Sequence, residues 1–146
     1  MAELFATTLD VYLTTGDLLE NPADVETADG RPATRACARD RLARCVGCDS
    51  EEFSQEDAEV AAHAIAEEQR GQILHALNAV LRSRVPLPSR VFLSGVGSFL
   101  ARQIVQSSPA LAEASTVNLL EVFGPSVSEA ARAFAVARLA AEHGRQ

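Results

Sequence analysis

Residues 90–105, RVFLSGVGSFLARQIV, decide how the rest of the chain is read. From Arg90 to Gly95 the run is short, β-branched and aromatic, with Pro88 before it and a glycine closing it, which predicts a buried strand. Gly95-Val96-Gly97 then predicts a tight turn, with Ser98 capping a helix that begins at Ser98 or Phe99. Such a junction suits an anion. Two residues without Cβ let the backbone come close to a phosphate, and the N–H groups of the next helix face it with the positive end of their dipole. Gly95, Gly97 and Ser98 are therefore the candidate phosphate-binding residues. The dinucleotide fingerprint asks for a third glycine where Leu100 stands, and the phosphate-loop motif asks for a lysine, which the chain lacks. A tight turn with no ligand is the competing reading of the same residues.

On either side of this stretch the pattern is helical. Leu4, Phe5, Leu9, Tyr12 and Leu13 predict an amphipathic helix over residues 3–15, stopped by Gly16. DLLENPADVETADGRP, residues 17–32, reads as a long surface loop whose acids do not match a calcium-binding loop. A second helix is expected from Thr34 to Val46, closed by Gly47. Arg31, Arg35, Arg39, Arg41 and Arg44 crowd this region, but helical spacing spreads them, which favours a solvated face over an anion site. Ser54-x-x-Asp57 with Phe53 before it is a helix start, and Ala61, Ile65, Ile73, Leu77 and Val80 continue one apolar stripe to about Arg84, with Gly71 as a point of bending. STVNLLEVFG, residues 115–124, fits a weak strand or a short helix. The Ala-rich tail from Val127 to about His143 predicts a closely packed helix, because alanines let backbones approach.

Composition narrows the function classes. The 146 residues and 47% hydrophobic content suit one ordinary domain, and a formal charge of −7 opposes nucleic acid and anionic membranes. The apolar runs are too short to span a bilayer, and MAELFATTLD has no signal-peptide pattern, so the expected compartment is the cytoplasm. All 13 basic residues are arginine, which excludes a Schiff-base lysine in this chain. Cys37, Cys45 and Cys48 are expected to be reduced and metal-free, since zinc asks for four ligands and His63, His75 and His143 stand singly.

AELFATTLDVYLTTGDL, TADGRPATR and SGVGSFLAR together resemble the hydantoinase/oxoprolinase-related proteins of tetrahydromethanopterin-linked one-carbon transfer, a group similar to the methanofuran-biosynthesis condensing enzymes. The wider likeness is to the sugar kinase, heat-shock and actin-like ATPase superfamily. The resemblance implies a helix-rich α/β fold with few strands, a partial actin-like (ribonuclease H-like) lobe in which the strand-Gly-x-Gly-helix junction touches the nucleotide. It implies that residues 1–146 form a single partial domain, the C-terminal portion of a longer two-lobed enzyme whose first phosphate motif and metal carboxylates lie in the other lobe. A nucleotide or diphosphate substrate with Mg²⁺ belongs to the full-length family and no cofactor to this chain alone. The partners expected are that N-terminal lobe or a second copy, and a small phosphorylated molecule. Asp29 and Arg31 in TADGRPATR are possible substrate contacts, with a loop tied to its neighbouring helix as the alternative. The rival class is a non-catalytic helical interaction domain.

Overall fold

The computed structural model describes residues 5–83 and 86–144. The chain divides into two compact units, residues 1–71 and 72–146, and one long helix contributes to both.

The first unit is helical. Helix α1 (Thr8–Thr15) ends at Gly16, whose φ of 84° is the left-handed conformation that a residue with a Cβ resists. The following loop is pinned by an antiparallel bridge between Asn21 and Ala33 and leads into α2 (Arg35–Cys45). Thr34 caps α2, its hydroxyl accepting from the Cys37 N–H, and Gly47 follows the last turn. Helix α3 (Gln55–Arg82) opens on a complete capping box. The Asp57 N–H donates to Ser54 Oγ at 3.1 Å, and the Ser54 N–H donates to Asp57 Oδ2 at 3.0 Å. Phe53, just before the box, is buried with Val11, Leu42, Ala43, Ala58 and Ala62.

The buried line of α3 in this unit is therefore Ala58 and Ala62, one register away from the expected stripe. Ala61 is half-buried and Ile65 is exposed; further along, Ile73 and Val80 are exposed as well, and only Leu77 and Leu81 of this part join a core. Small side chains occupy the positions that meet α1 and α2, leaving the larger ones at the margin. Among the described residues no helix is long and apolar enough to cross a membrane.

The second unit is α/β. Strand β1 (Arg90–Leu93) pairs in parallel with β2 (Ser115–Asn118), in a register that sets Phe92 beside Val117 and Leu93 beside Asn118. Between them run α4 (Ser98–Gln106) and a 3-10 turn at Pro109–Leu111. The stretch that was open to strand or helix is both in turn, since β2 passes directly into α5 (Leu119–Phe123). Leu81, Leu93, Val105 and Leu111 form the core, with Val91 and Ala101 against it.

Burial along β1 is uneven, so the expected buried strand is half right: Leu93 is buried, whereas Arg90 and Phe92 are exposed. The tail is also looser than expected. It breaks at Ala130 into α6 (Pro125–Glu129) and α7 (Ala131–His143), and α7 buries no residue. Phe134 of α7 lies 5.2 Å from Phe123, ring centre to ring centre.

Candidate functional site

The strand-turn-helix junction forms where it was expected. Gly95 has φ 83°, and its N–H donates to Ser128 Oγ at 3.0 Å, so the turn is tied to α6. The Ser98 N–H folds back onto the Gly95 carbonyl at 3.1 Å. Ser98 is the first residue of α4 and is buried; the N-cap position belongs to Gly97, which has no side chain to satisfy the first turn. Gly97 differs from Gly95 in a telling way. Its φ of −79° is open to any residue, and a Cβ placed on it meets nothing within 4 Å. Neither its conformation nor its neighbours require glycine. The space its missing side chain leaves is open and lies over the N-terminus of a nine-residue helix.

Both strands deliver their carboxyl ends to this place, because Leu93 and Asn118 are partners in the ladder. Asn118 Oδ1 accepts from the Leu120 N–H and so caps α5, while Arg102 of α4 donates to Glu121 Oε1 at 2.6 Å. Glu121 also accepts from Asn118 Nδ2 at 3.2 Å. In open α/β sheets ligands bind outside the carboxyl ends of parallel strands, which is the position of this turn. Residues 72–146 carry seven arginines against four glutamates and no aspartate, a formal charge of +3 within a chain of −7. Residues 94–98 leave room at Gly97, but the Gly95 and Ser98 N–H groups are already engaged within the turn and with α6; these residues offer a metal ion no carboxylate, and Glu121 is already engaged by Arg102 and Asn118. A cavity of about 420 Å³ lined by Asn78, Leu81, Arg82, Leu87, Pro109 and Ala110 shares no residue with the turn.

Asp29 and Arg31 lie in the first unit, tied to α2. Arg41, which helical spacing assigned to a solvated surface, is fully buried and joins two carboxylates. Its Nε donates to Asp10 Oδ1 at 2.7 Å and its NH1 to Asp29 Oδ1 at 2.8 Å. NH2 lies 2.6 Å from Asp10 Oδ1, out of line for a hydrogen bond, and adds to the ion pair. Arg44 donates to Asp29 Oδ2, and the Arg31 N–H donates to Asp29 Oδ1 at 3.2 Å. Arg31 NH2 reaches Asp40 Oδ2 at 2.7 Å, and Arg39 the other oxygen at 3.1 Å.

Burial pushes the Asp29 carboxyl up, but hydrogen bonds from Arg44, from Arg41 and from the Arg31 main chain outweigh it and hold Asp29 well below the usual carboxylate range. Asp40 is lowered in the same manner: desolvation opposes ionisation, and the bonds from Arg31 and Arg39 prevail. The cluster locks the 27–31 loop and the start of α1 onto α2, where the Thr7 N–H also donates to Asp10 Oδ2 at 2.8 Å.

The roles of Asp10 and Arg41 were not legible in the pattern of charges. The available signal was an aspartate between Leu9 and Val11 in one apolar stripe and an arginine beside Leu42 in another. Cys37, Cys45 and Cys48 are free thiols, and Cys45 Sγ accepts from the Ala6 N–H. Among the described residues no three His, Cys, Asp or Glu side chains gather as a metal site. No protein-family model matches the chain, and no curated protein matches it.

Proposed function

We propose that residues 72–146 form half of a phosphate-binding cleft. The 94–98 turn takes a phosphate of a nucleotide or of a diphosphate-bearing substrate, within an enzyme similar to the hydantoinase/oxoprolinase-related proteins of one-carbon transfer. The observation that carries this reading is Gly97. It sits at the N-cap of α4 with an ordinary φ and no neighbour within 4 Å, so the space it leaves open is available to an incoming group. On this reading the unit binds and orients. The partial actin-like lobe implied by the resemblance supplies no catalytic carboxylate here, and Mg²⁺ would be held by the complementing lobe. The chain alone binds phosphate weakly and does not turn over.

Titration with inorganic diphosphate, followed by amide shifts of residues 94–100, tests the reading. Saturable shifts in this stretch that disappear in Gly97→Val, with β1 and β2 intact, are expected. Shifts that persist in the variant, or their absence at millimolar diphosphate, overturn it.

A second reading, a non-catalytic helical interaction domain, is favoured by one observation: Ile65, Ile73 and Val80 on α3, with Val136 and Leu139 on α7, are large apolar side chains left exposed.

A further inference from the structure

We propose that the cavity beside the last turns of α3 is a binding site for a small amphipathic carboxylate, an aliphatic acid of about six to ten carbons whose chain lies on Leu81, Leu87, Pro109 and Ala110 and whose carboxylate is held by Asn78 and Arg82. The cavity measures about 420 Å³, within the range of small-molecule sites, and its walls are mostly apolar. Leu81 belongs to the buried core of this unit, Leu87 is 47% exposed, and Pro109 and Ala110 come from the 3-10 turn that follows α4. One hydrogen bond holds the two sides together. Ser108 Oγ, in a residue only 1% exposed, donates to Asn78 Oδ1 at 3.2 Å across 30 residues of sequence. The Leu111 N–H donates to the Ser108 carbonyl at 3.0 Å and closes the turn, so the fold's own bonds shape the cavity.

The Ser108 bond also sets the chemistry of the polar end. With Asn78 Oδ1 occupied, the part of that amide left for a ligand is Nδ2, which donates. Arg82 stands one helical turn further along, at i+4, and adds a guanidinium that also only donates. Among the described residues neither Asn78 Nδ2 nor the Arg82 side chain has a hydrogen-bond or ion-pair partner. No carboxylate lines the cavity; residues 69–112 contain no Asp or Glu, and Glu113, the next acid along the chain, is not part of the wall. A cation finds no counter-charge here, and a sugar would set its hydroxyls against four apolar residues. A carboxylate meets a donor for each oxygen, and its chain removes apolar wall from water. The −7 of the whole chain acts at long range and is screened over about 8 Å at physiological salt, whereas these donors act by contact. The inference goes beyond the phosphate reading and does not depend on it, since the cavity and the 94–98 turn have no residue in common.

The test uses the whole chain, labelled for amide shifts, and three probes: octanoate, 1-octanol and acetate. Octanoate is expected to give saturable shifts at residues 78–82, 87 and 109–111, with a Kd below about 1 mM. Losing the charge in 1-octanol is expected to weaken binding by about tenfold or more, and acetate, which keeps the charge and loses the chain, is expected not to bind. Arg82 is exposed, so its loss leaves the fold in place. Arg82→Met is expected to weaken octanoate by about tenfold and to leave 1-octanol unchanged. Four results overturn the proposal. They are no saturable shift at about 5 mM octanoate; equal affinity for octanoate and 1-octanol, which means that no carboxylate is recognised; an octanoate affinity that Arg82→Met does not change; and shifts spread over exposed apolar residues such as Phe92, Val122 and Val136, which is general adsorption of an amphiphile.

Discussion

Asp10 and Arg41 are both fully buried, and Arg41 Nε donates to Asp10 Oδ1 at 2.7 Å across 31 residues of sequence. The pair is closed on its far side by Asp29, which accepts from Arg41 and Arg44 together. A buried ion pair contributes little when exchanged for a good apolar contact, but losing one partner strands a charge in the interior. The first unit therefore depends on all of these groups being present at once.

Arg41→Met is expected to destabilise the first unit by about 3–5 kcal/mol, because Asp10 is left buried without its counter-charge. Adding Asp10→Leu to that variant removes the stranded charge, and a large part of the loss is expected to return. Urea unfolding followed by helical signal checks both. A double variant no more stable than the single one contradicts the account.

Acid weakens the same unit. The folded-state values of Asp29 and Asp40 are lowered relative to the unfolded chain, so their contribution is fully present above the ordinary carboxylate value of about 4 and is lost as pH falls through the folded values. Thermal melts are expected to be level from neutral pH to about pH 5 and to fall steadily below pH 4. In Asp29→Asn, where that carboxylate no longer titrates, the fall is expected to be shallower.

The start of α3 rests on Ser54. Removing its hydroxyl in Ser54→Ala leaves the Asp57 N–H without its 3.1 Å acceptor, for an expected loss of about 1 kcal/mol. Amide exchange over residues 55–58 is expected to quicken. Unchanged exchange there means that Phe53, not the box, fixes the helix start.

Gly95 and Gly97 are expected to separate in their effects. Gly95→Ala forces a Cβ into φ 83° and costs about 1–2 kcal/mol. Gly97→Ala, at φ −79° with open space around it, changes stability by less than about 1 kcal/mol. Equal losses in denaturant melts remove the distinction on which the phosphate reading rests.

What the sequence by itself determined is local. The glycine after α1, the start of α2 near Thr34, the Ser54–Asp57 box and the strand-Gly-x-Gly-helix order of residues 90–105 all follow from interactions within a few residues, so propensity and spacing are enough to find them. The resemblance carried by the three quoted stretches adds an expectation about function that local geometry does not supply. Tertiary structure decided everything that needed a partner far along the chain. Helical spacing showed that the arginines of α2 point in different directions, but only packing turned Arg41 inward, because its two carboxylates arrive from residues 10 and 29. The periodicity of α3 marked an apolar stripe, yet the α3 residues buried with Val11, Leu42 and Ala43 are Ala58 and Ala62, and Ile65 is left outside. The strand at 90–93 reads as buried from composition, whereas its burial depends on what lies on each face, and Phe92 faces none of the described core. A side chain's neighbours through space are set by the whole fold, and a pattern read along one element carries no record of them.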